Sequence, residues 1–174
     1  MRHLPIFFLL LNLIAGSAFA AEVTLVEMDE GEDWAVPENL RLTTSQDMTA
    51  LSKLSRDNDV PILLMFSTEH CTYCKRLETE VLGPLRLSGA DPKRIILRKV
   101  LMDKYETLRD FNGRERNAEN FAIDRDVEMV PTLQLLDATG KELVPKIVGY
   151  QTPGLYADYL EKAIEVSQDL LEKK

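Results

Sequence analysis

The sequence predicts an α/β domain, a central mixed sheet flanked by helices with an N-terminal extension, and three observations carry that prediction. "VPILLMFS" (Val60–Ser67) is an apolar run of strand length that passes straight into a helical pattern, as a strand buried on both faces does. A second run, "RIILRKVLMD" (Arg94–Asp103), follows that helix, so the two strands fit a parallel crossover. A hairpin pattern over 132–148 then leads into a terminal amphipathic helix, which makes the sheet mixed. The full order reads β, α, β, α, β, α, β, β, α.

Residues 1–20 stand apart from the fold. A basic start, an apolar run of about a dozen residues and the small residues Ala18 and Ala20 have the form of a secretory signal cleaved after Ala20. The run is shorter than the roughly 20 residues that cross a bilayer; an uncleaved anchor is the alternative. Export is expected to carry the protein across the inner membrane into the periplasm. Cleavage removes one base, Arg2, and no acid, taking the formal charge from −8 to −9. That balance argues against nucleic-acid and anionic-membrane surfaces, and the remaining length fits one core. Acids crowd the stretch from Glu22 to Glu38 before Arg41. Residues 21–39 are therefore expected to be a solvated acidic extension, pinned by Trp34, with an acidic partner-binding tail as the sharper alternative. Residues 40–174 form the domain.

Along the domain, a helix is expected to start at Thr44 or Ser45, with Met48, Leu51 and Leu54 on one face. After Val60–Ser67, the helix that carries Cys74, Leu77 and Val81 inward is stopped or kinked by Gly83-Pro84. The stretch after Asp103 is a long connection with a turn at Asn112-Gly113 and a short helix near Asn117–Asp124. The hairpin opens at Thr132, turns over Asp137–Gly140 and returns to Val148, and Pro145 makes the return strand a sheet edge. The last helix has Thr152 as N-cap, Pro153 in its first turn, and Leu155, Tyr159, Ala163, Val166 and Leu170 as its core stripe.

Cys71 and Cys74 are the only cysteines, and they fall at the strand-to-helix turn. As a staple the pair is poor, because a disulfide stabilises by closing a loop and this one closes almost none. A thiol at a helix N-terminus sees unpaired N–H groups and the positive end of the dipole, which favour its thiolate. Cys74, one turn later, can resolve a mixed disulfide formed at Cys71. His70 beside them is the only histidine after the signal; as imidazolium it would favour the thiolate, and the alternative is a solvent-facing residue neutralised by Glu69. Metal binding by Cys71, Cys74 and His70 is the weaker reading, since closed zinc needs four ligands and adjacent side chains diverge. Haem attachment fails because position 75 is Lys. Glu78, Glu80, Glu115 and Glu119 are expected on exposed faces.

"FSTEHCTYCK", "VPT" at Val130–Thr132 and the hairpin leading to "IVGY" resemble the thioredoxin superfamily over roughly residues 40–168. "CTYCKRLETEVL", "FNG", "VPTLQLLDATGKEL" and "VGYQTP" more narrowly resemble exported thioredoxin-like proteins, including those of bacterial sulfur oxidation and relatives of the periplasmic disulfide isomerases. The resemblance implies a thioredoxin fold and a thiol-disulfide oxidoreductase with Cys71 and Cys74 catalytic. It implies that Pro131 is cis and packs beside the cysteines, that the Val130 backbone pairs with an extended substrate, and that Thr72 and Tyr73 also contact substrate. His70 and Lys99 are candidate modulators. Lys99 aligns with a strand lysine near a buried proton-moving Asp of thioredoxin, but that Asp is Met65 here, so Cys74 needs water or another group for its proton; an outward-snorkelling Lys99 is the alternative.

The resemblance also favours a reductase, because strongly oxidising relatives place His between their cysteines; isomerase and oxidase are the alternatives, and isomerases carry a dimerisation domain for which the extension is too short. The implied partners are periplasmic client proteins with disulfides or thiols and a membrane thiol-reducing electron donor. No nucleic-acid partner and no cofactor beyond the Cys71-Cys74 disulfide are expected, and the chain is expected to be a monomer. A redox-inert module binding copper or a thiol client is the second class.

Overall fold

The computed structural model describes residues 35–103, 106–151 and 153–173. The expected signal, its cleavage point, the pinning of the extension by Trp34 and the Thr152 cap lie outside the described residues. All described residues fall in one compact unit, Asp33–Lys174. No described helix is long and apolar enough to cross a membrane.

The sheet is built on β1 (Ile62–Ser67), whose six residues are all buried. β1 pairs in parallel with β2 (Ile96–Leu101) and antiparallel with β5 (Thr132–Leu136), and β6 (Ile147–Val148) closes the order β2-β1-β5-β6. Alternation along β1 explains its uniform burial: Leu63 and Met65 enter one core, while Ile62, Leu64 and Phe66 enter the other. The first core is covered by α2 (Thr72–Leu77), α3 (Gly83–Leu87) and α6 (Pro153–Glu172); the second is covered by α1 (Met48–Asn58) and α5 (Ala118–Ile123). This is the thioredoxin fold that the sequence led us to expect.

Several elements differ from the expectation for local reasons. α1 starts at Met48, because Thr43–Gln46 are engaged elsewhere: Ser45 N–H donates to Lys99 C=O at 2.8 Å, and Arg109 N–H donates to Gln46 C=O at 2.7 Å. Asp47 caps the helix, accepting from Thr49 N–H at 2.9 Å and Ala50 N–H at 3.1 Å. Ahead of α1 the described chain carries no strand, only the isolated Thr44–Lys99 and Asp47–Arg109 bridges. Leu54 is partly exposed, and Ser52 and Ser55 are buried in its stead.

Gly83-Pro84 does not end the helix. A π-turn, Glu78–Leu82, joins α2 to α3, with Gly83 N–H donating to Glu78 C=O. The extra residue lets a helical run continue past a proline that has no N–H to give. A Cβ at Gly83 would lie 2.7 Å from Leu40 C=O, so its absence admits the 3₁₀ turn Glu38–Leu40 against the π-turn. Val36 is buried too, so ordered packing begins before residue 40.

After α3 comes the short, kinked α4 (Ala90–Lys93). The connection after β2 contains a separate hairpin of β3 (Thr107–Arg109) and β4 (Glu115–Asn117), turned by Asp110, which accepts from Asn112 N–H at 2.8 Å and Arg114 N–H at 2.9 Å. β6 is only two residues long, since Pro145 and its neighbours leave the ladder.

The core stripe of the last helix is shifted by one residue from the expected one. Tyr156, Leu160, Ile164 and Ser167 are buried and Ala163 of the expected stripe packs partly on the same core, whereas Leu155 and Tyr159 stand in solvent and Val166 and Leu170 are partly exposed. The two stripes lie one residue apart, and the sheet selects the second.

Candidate functional site

β1 ends at Ser67, and the chain turns through Thr68–His70 into α2. Cys71 is the residue capping α2, with φ −81° and ψ 100°, and its sulfur accepts from Cys74 N–H at 3.1 Å. Cys71 and Cys74 are joined by a disulfide, S–S 2.04 Å and Cα–Cα 5.2 Å. Their exposures differ: Cys71 is half-buried, whereas Cys74 is 1% exposed. An incoming sulfur therefore reaches Cys71 first. Thr72 and Tyr73, between them, are both exposed, as are Glu69 and His70.

β5 runs antiparallel to β1, and its register sets Thr132 opposite Phe66 near the end of β1. The residues just before Thr132 therefore arrive beside the cysteine turn. The Val130–Pro131 peptide is cis. Pro131 is buried, and Val130 and Cys71 both pack on the core cluster that contains Cys74. Among the described residues the Val130 backbone makes no hydrogen bond. A groove of about 530 Å³ lies here, walled by Tyr73, Met129, Val130, Pro131, Tyr150 and Gln151.

One wall is held by a polar network. Glu80 accepts from Arg76 Nε at 3.0 Å and from Tyr150 OH at 2.5 Å, and the Arg76 guanidinium sits 5.7 Å from the Tyr150 ring centroid. The Tyr150 hydroxyl, then the Arg76 guanidinium, hold the Glu80 carboxyl below its usual range. Burial, then Glu80 as acceptor, pushes the Tyr150 phenol up to about 12. Tyr150 also meets Tyr156 edge to face at 5.0 Å, so α2, the π-turn and α6 are linked under the groove.

Glu78 corrects the reading of the acids. Expected on an exposed face, it is 2% exposed and forms an ion pair with Lys99, whose Nζ lies 2.8 Å and 3.0 Å from its two carboxylate oxygens. Leu42 N–H donates to the same carboxylate. Lys99 sits opposite Met65 in the β1–β2 register and turns inward, with 15% of its side chain exposed. The legible signal was positional: residue 78 lies four after Cys74 on the face that buries Leu77. Beside the pair is a cavity of about 390 Å³ that His70, Ser67, Thr68 and Lys75 also line. Of the other acids, Glu80, Glu115 and Glu119 are exposed as expected, Glu80 within its network.

Among the described residues, no group of three or more His, Cys, Asp and Glu side chains is placed to hold a metal ion.

A family model described as a thioredoxin-like domain matches residues 49–164. Solved structures similar to this chain include a mutant thioredoxin of Halobacterium salinarum, 24% identical over 74% of this chain and 95% of that one, TM-score 0.47. Oxidised mitochondrial thioredoxin 3 of Saccharomyces cerevisiae is 24% identical over 71% and 93%, TM-score 0.47. Fasciola hepatica thioredoxin is 20% identical over 71% and 97%, TM-score 0.46. No curated protein matches the chain.

Proposed function

We propose, for a chain that belongs to the thioredoxin-like domain family and is a thiol-disulfide oxidoreductase, a reductive role: it reduces disulfides of client proteins in the periplasm. The observation that carries the dithiol chemistry is the asymmetry of the pair, a half-buried Cys71 at a helix N-terminus and a buried Cys74 one turn behind it, while the reductive direction is supported by the inner residues Thr72 and Tyr73.

In the reduced protein the Cys71 thiolate, favoured by the Cys74 N–H and the helix dipole, attacks one sulfur of a client disulfide. A Cys71–client mixed disulfide forms, and the other client sulfur leaves as a thiolate that takes a proton. Cys74 then gives up its proton and attacks Cys71 Sγ, forming the internal disulfide and releasing the second client sulfur. Two electrons pass from the protein to the client, and a membrane thiol-reducing donor restores the dithiol. Val130 offers its unbonded backbone to the client strand, Pro131 forms the wall behind it, and Thr72 and Tyr73 border the entrance. With Met65 in the strand, the Cys74 proton passes to water or to another group, and we assign that second role to Glu78, the buried carboxylate four residues on that Lys99 holds. His70 modulates Cys71 from the solvent side. Thr72 and Tyr73 between the cysteines, without an inner His, support a reductase related to the exported proteins of sulfur oxidation rather than an oxidase. The chain acts as a monomer after its signal is removed.

Cys74→Ser should accumulate mixed disulfides at Cys71 in periplasmic extracts, and Cys71→Ser should trap almost nothing. The couple should equilibrate with glutathione well below the roughly −120 mV of strong oxidants. A potential at or above that level removes the reductive direction. Equal trapping by both variants, or stoichiometric copper kept after desalting, replaces the enzyme by a binding module.

A further inference from the structure

A concavity of about 510 Å³ lies at the end of the sheet remote from the cysteines. Leu136, which leads into the turn after β5, pairs with Ile62, the first residue of β1, whereas the cysteine turn follows Ser67, its last. At about 3.3 Å per residue those two ends of β1 stand roughly 17 Å apart, so this place is separate from the redox groove. Three segments meet around it: Thr49, Ser52 and Arg56 on one face of α1, Phe111 and Asn112 of the β3–β4 turn, and Thr139 of the turn after β5. Two of these side chains carry chemistry that the fold leaves unused. Ser52 is 4% exposed, and its Oγ has no hydrogen-bond partner among the described residues. The other buried helical serines are satisfied: the Ser55 hydroxyl donates to Val60 C=O at 2.6 Å and the Ser167 hydroxyl to Ala163 C=O at 2.7 Å. A buried hydroxyl without a partner is destabilising until something completes it. Arg56 is exposed and pairs with no described carboxylate, whereas Arg76, Arg94, Arg98, Arg114 and Arg116 each do. Its one described hydrogen bond, to Ala138 C=O, is 3.5 Å long.

The remaining groups narrow the ligand. Among the described residues no carboxylate lines the concavity, in a chain whose formal charge is −8, so Arg56 calls for an anion from outside. The hydroxyls of Thr49 and Thr139 give their protons to Asp47 and Asp137 at 2.6 Å each, so toward a ligand they only accept. Phe111, half-buried and held by Phe121 at 6.3 Å and Arg125 at 5.6 Å, supplies an apolar wall. A matching ligand joins an anion, a neutral N–H donor and an apolar side chain. We infer that this site takes the C-terminal residue of a peptide, an acylated apolar amino acid with a free carboxylate. The carboxylate lies on the Arg56 guanidinium and accepts from the Ser52 hydroxyl, the terminal amide N–H donates to a threonine oxygen, and the side chain covers Phe111. A free ammonium in place of the amide would meet Arg56 with no acid to balance it, which disfavours a free amino acid. Arg56, Asn112 and Thr139 are exposed, so the mouth is open and the preceding peptide residues leave into solvent.

The inference is independent of the redox reading and is tested on the oxidised protein by amide NMR titration. The probes are a hexapeptide ending in phenylalanine with a free carboxylate, the same peptide amidated at its C-terminus, and N-acetylphenylalanine. The free-acid hexapeptide should shift the amides of Ser52, Asn112, Gly113 and Thr139 saturably, and the amidated peptide should bind about tenfold more weakly, the scale of a hydrogen bond to a charged group. Arg56→Gln, at an exposed position, should lose the same factor. Ser52→Ala should bind about threefold more weakly while its thermal midpoint holds or rises, since the change removes a buried hydroxyl that has no partner within the fold. Equal affinity for the acid and the amide, either variant binding as tightly as wild type, or no saturable shift at millimolar peptide overturns the inference. N-acetylphenylalanine binding where the hexapeptide does not makes this a small-molecule carboxylate site and overturns the peptide assignment. Shifts centred on the cysteine turn and Val130 move the peptide to the redox groove and overturn it as well.

Discussion

Replacing Lys99 by Met would remove the cation of the Glu78–Lys99 pair while keeping most of the side-chain volume. At 2.8 Å and an effective dielectric near 20, the attraction is about 6 kcal/mol before desolvation of either group is set against it. Glu78 is 2% exposed, so the variant strands a carboxylate whose remaining partner is the Leu42 N–H. Breaking a buried pair from one side costs about 3–5 kcal/mol, a large share of the roughly 5–15 kcal/mol that holds a domain folded. With a urea slope near 2 kcal/mol/M, the midpoint should fall by about 2 M. The double variant Glu78→Leu/Lys99→Met removes both charges and should regain much of that loss, because an apolar pair of similar volume needs no desolvation. Equilibrium urea unfolding of the oxidised proteins measures both. A loss below about 1 kcal/mol for Lys99→Met, or a double variant as unstable as the single, refutes the view that Glu78 is a buried, paired charge.

Gly83→Ala should destabilise by about 1–3 kcal/mol despite the better helix propensity of Ala, because its Cβ would meet Leu40 C=O at 2.7 Å and Glu78 C=O at 2.8 Å; a gain in thermal midpoint would contradict that contact. Tyr150→Phe should cost about 1.5–3 kcal/mol by removing a hydrogen bond to a charged acceptor, and NMR titration should find the Glu80 carboxyl shifted upward. Asp110 is held below the usual carboxylate range, first by the Arg114 N–H. A depressed folded-state value means that its contribution is complete above the ordinary carboxyl range and is lost as pH falls through the lowered value. Urea midpoints between pH 6 and pH 3 should therefore fall less steeply in Asp110→Asn than in wild type.

The cysteine turn was legible because two independent signals coincide there, an unbroken apolar strand and a helical pattern that starts at Cys71. The hairpin turn was legible for a similar reason: Asp137 and Gly140 carry the turn chemistry, and Gly140 N–H donates to Asp137 C=O at 2.9 Å. The face of α6 was not. Leu155 and Tyr159 compete with Tyr156 and Leu160 as apolar stripes one residue apart, and periodicity cannot rank two adjacent stripes when the sheet makes the choice. Glu78 was missed because charge is a good guide to exposure only when no partner waits inside, and its partner Lys99 comes from a strand 21 residues away. The π-turn was hidden for another reason: Gly83-Pro84 has the form of a stop, and the close approach of Leu40 that occupies the space over Gly83 is a tertiary fact.

The two margins of the main sheet are treated unequally. Along β2 the Thr43–Ser45 backbone lies alongside and occupies both Lys99 N–H and Lys99 C=O, so that margin is interrupted at Lys99 by the chain itself. Along β6 no further described strand pairs, and that margin is only two residues long, with Pro145 just before it. Among the described residues, then, the outer ladder of β6 is too short to template a continuous sheet with a second copy.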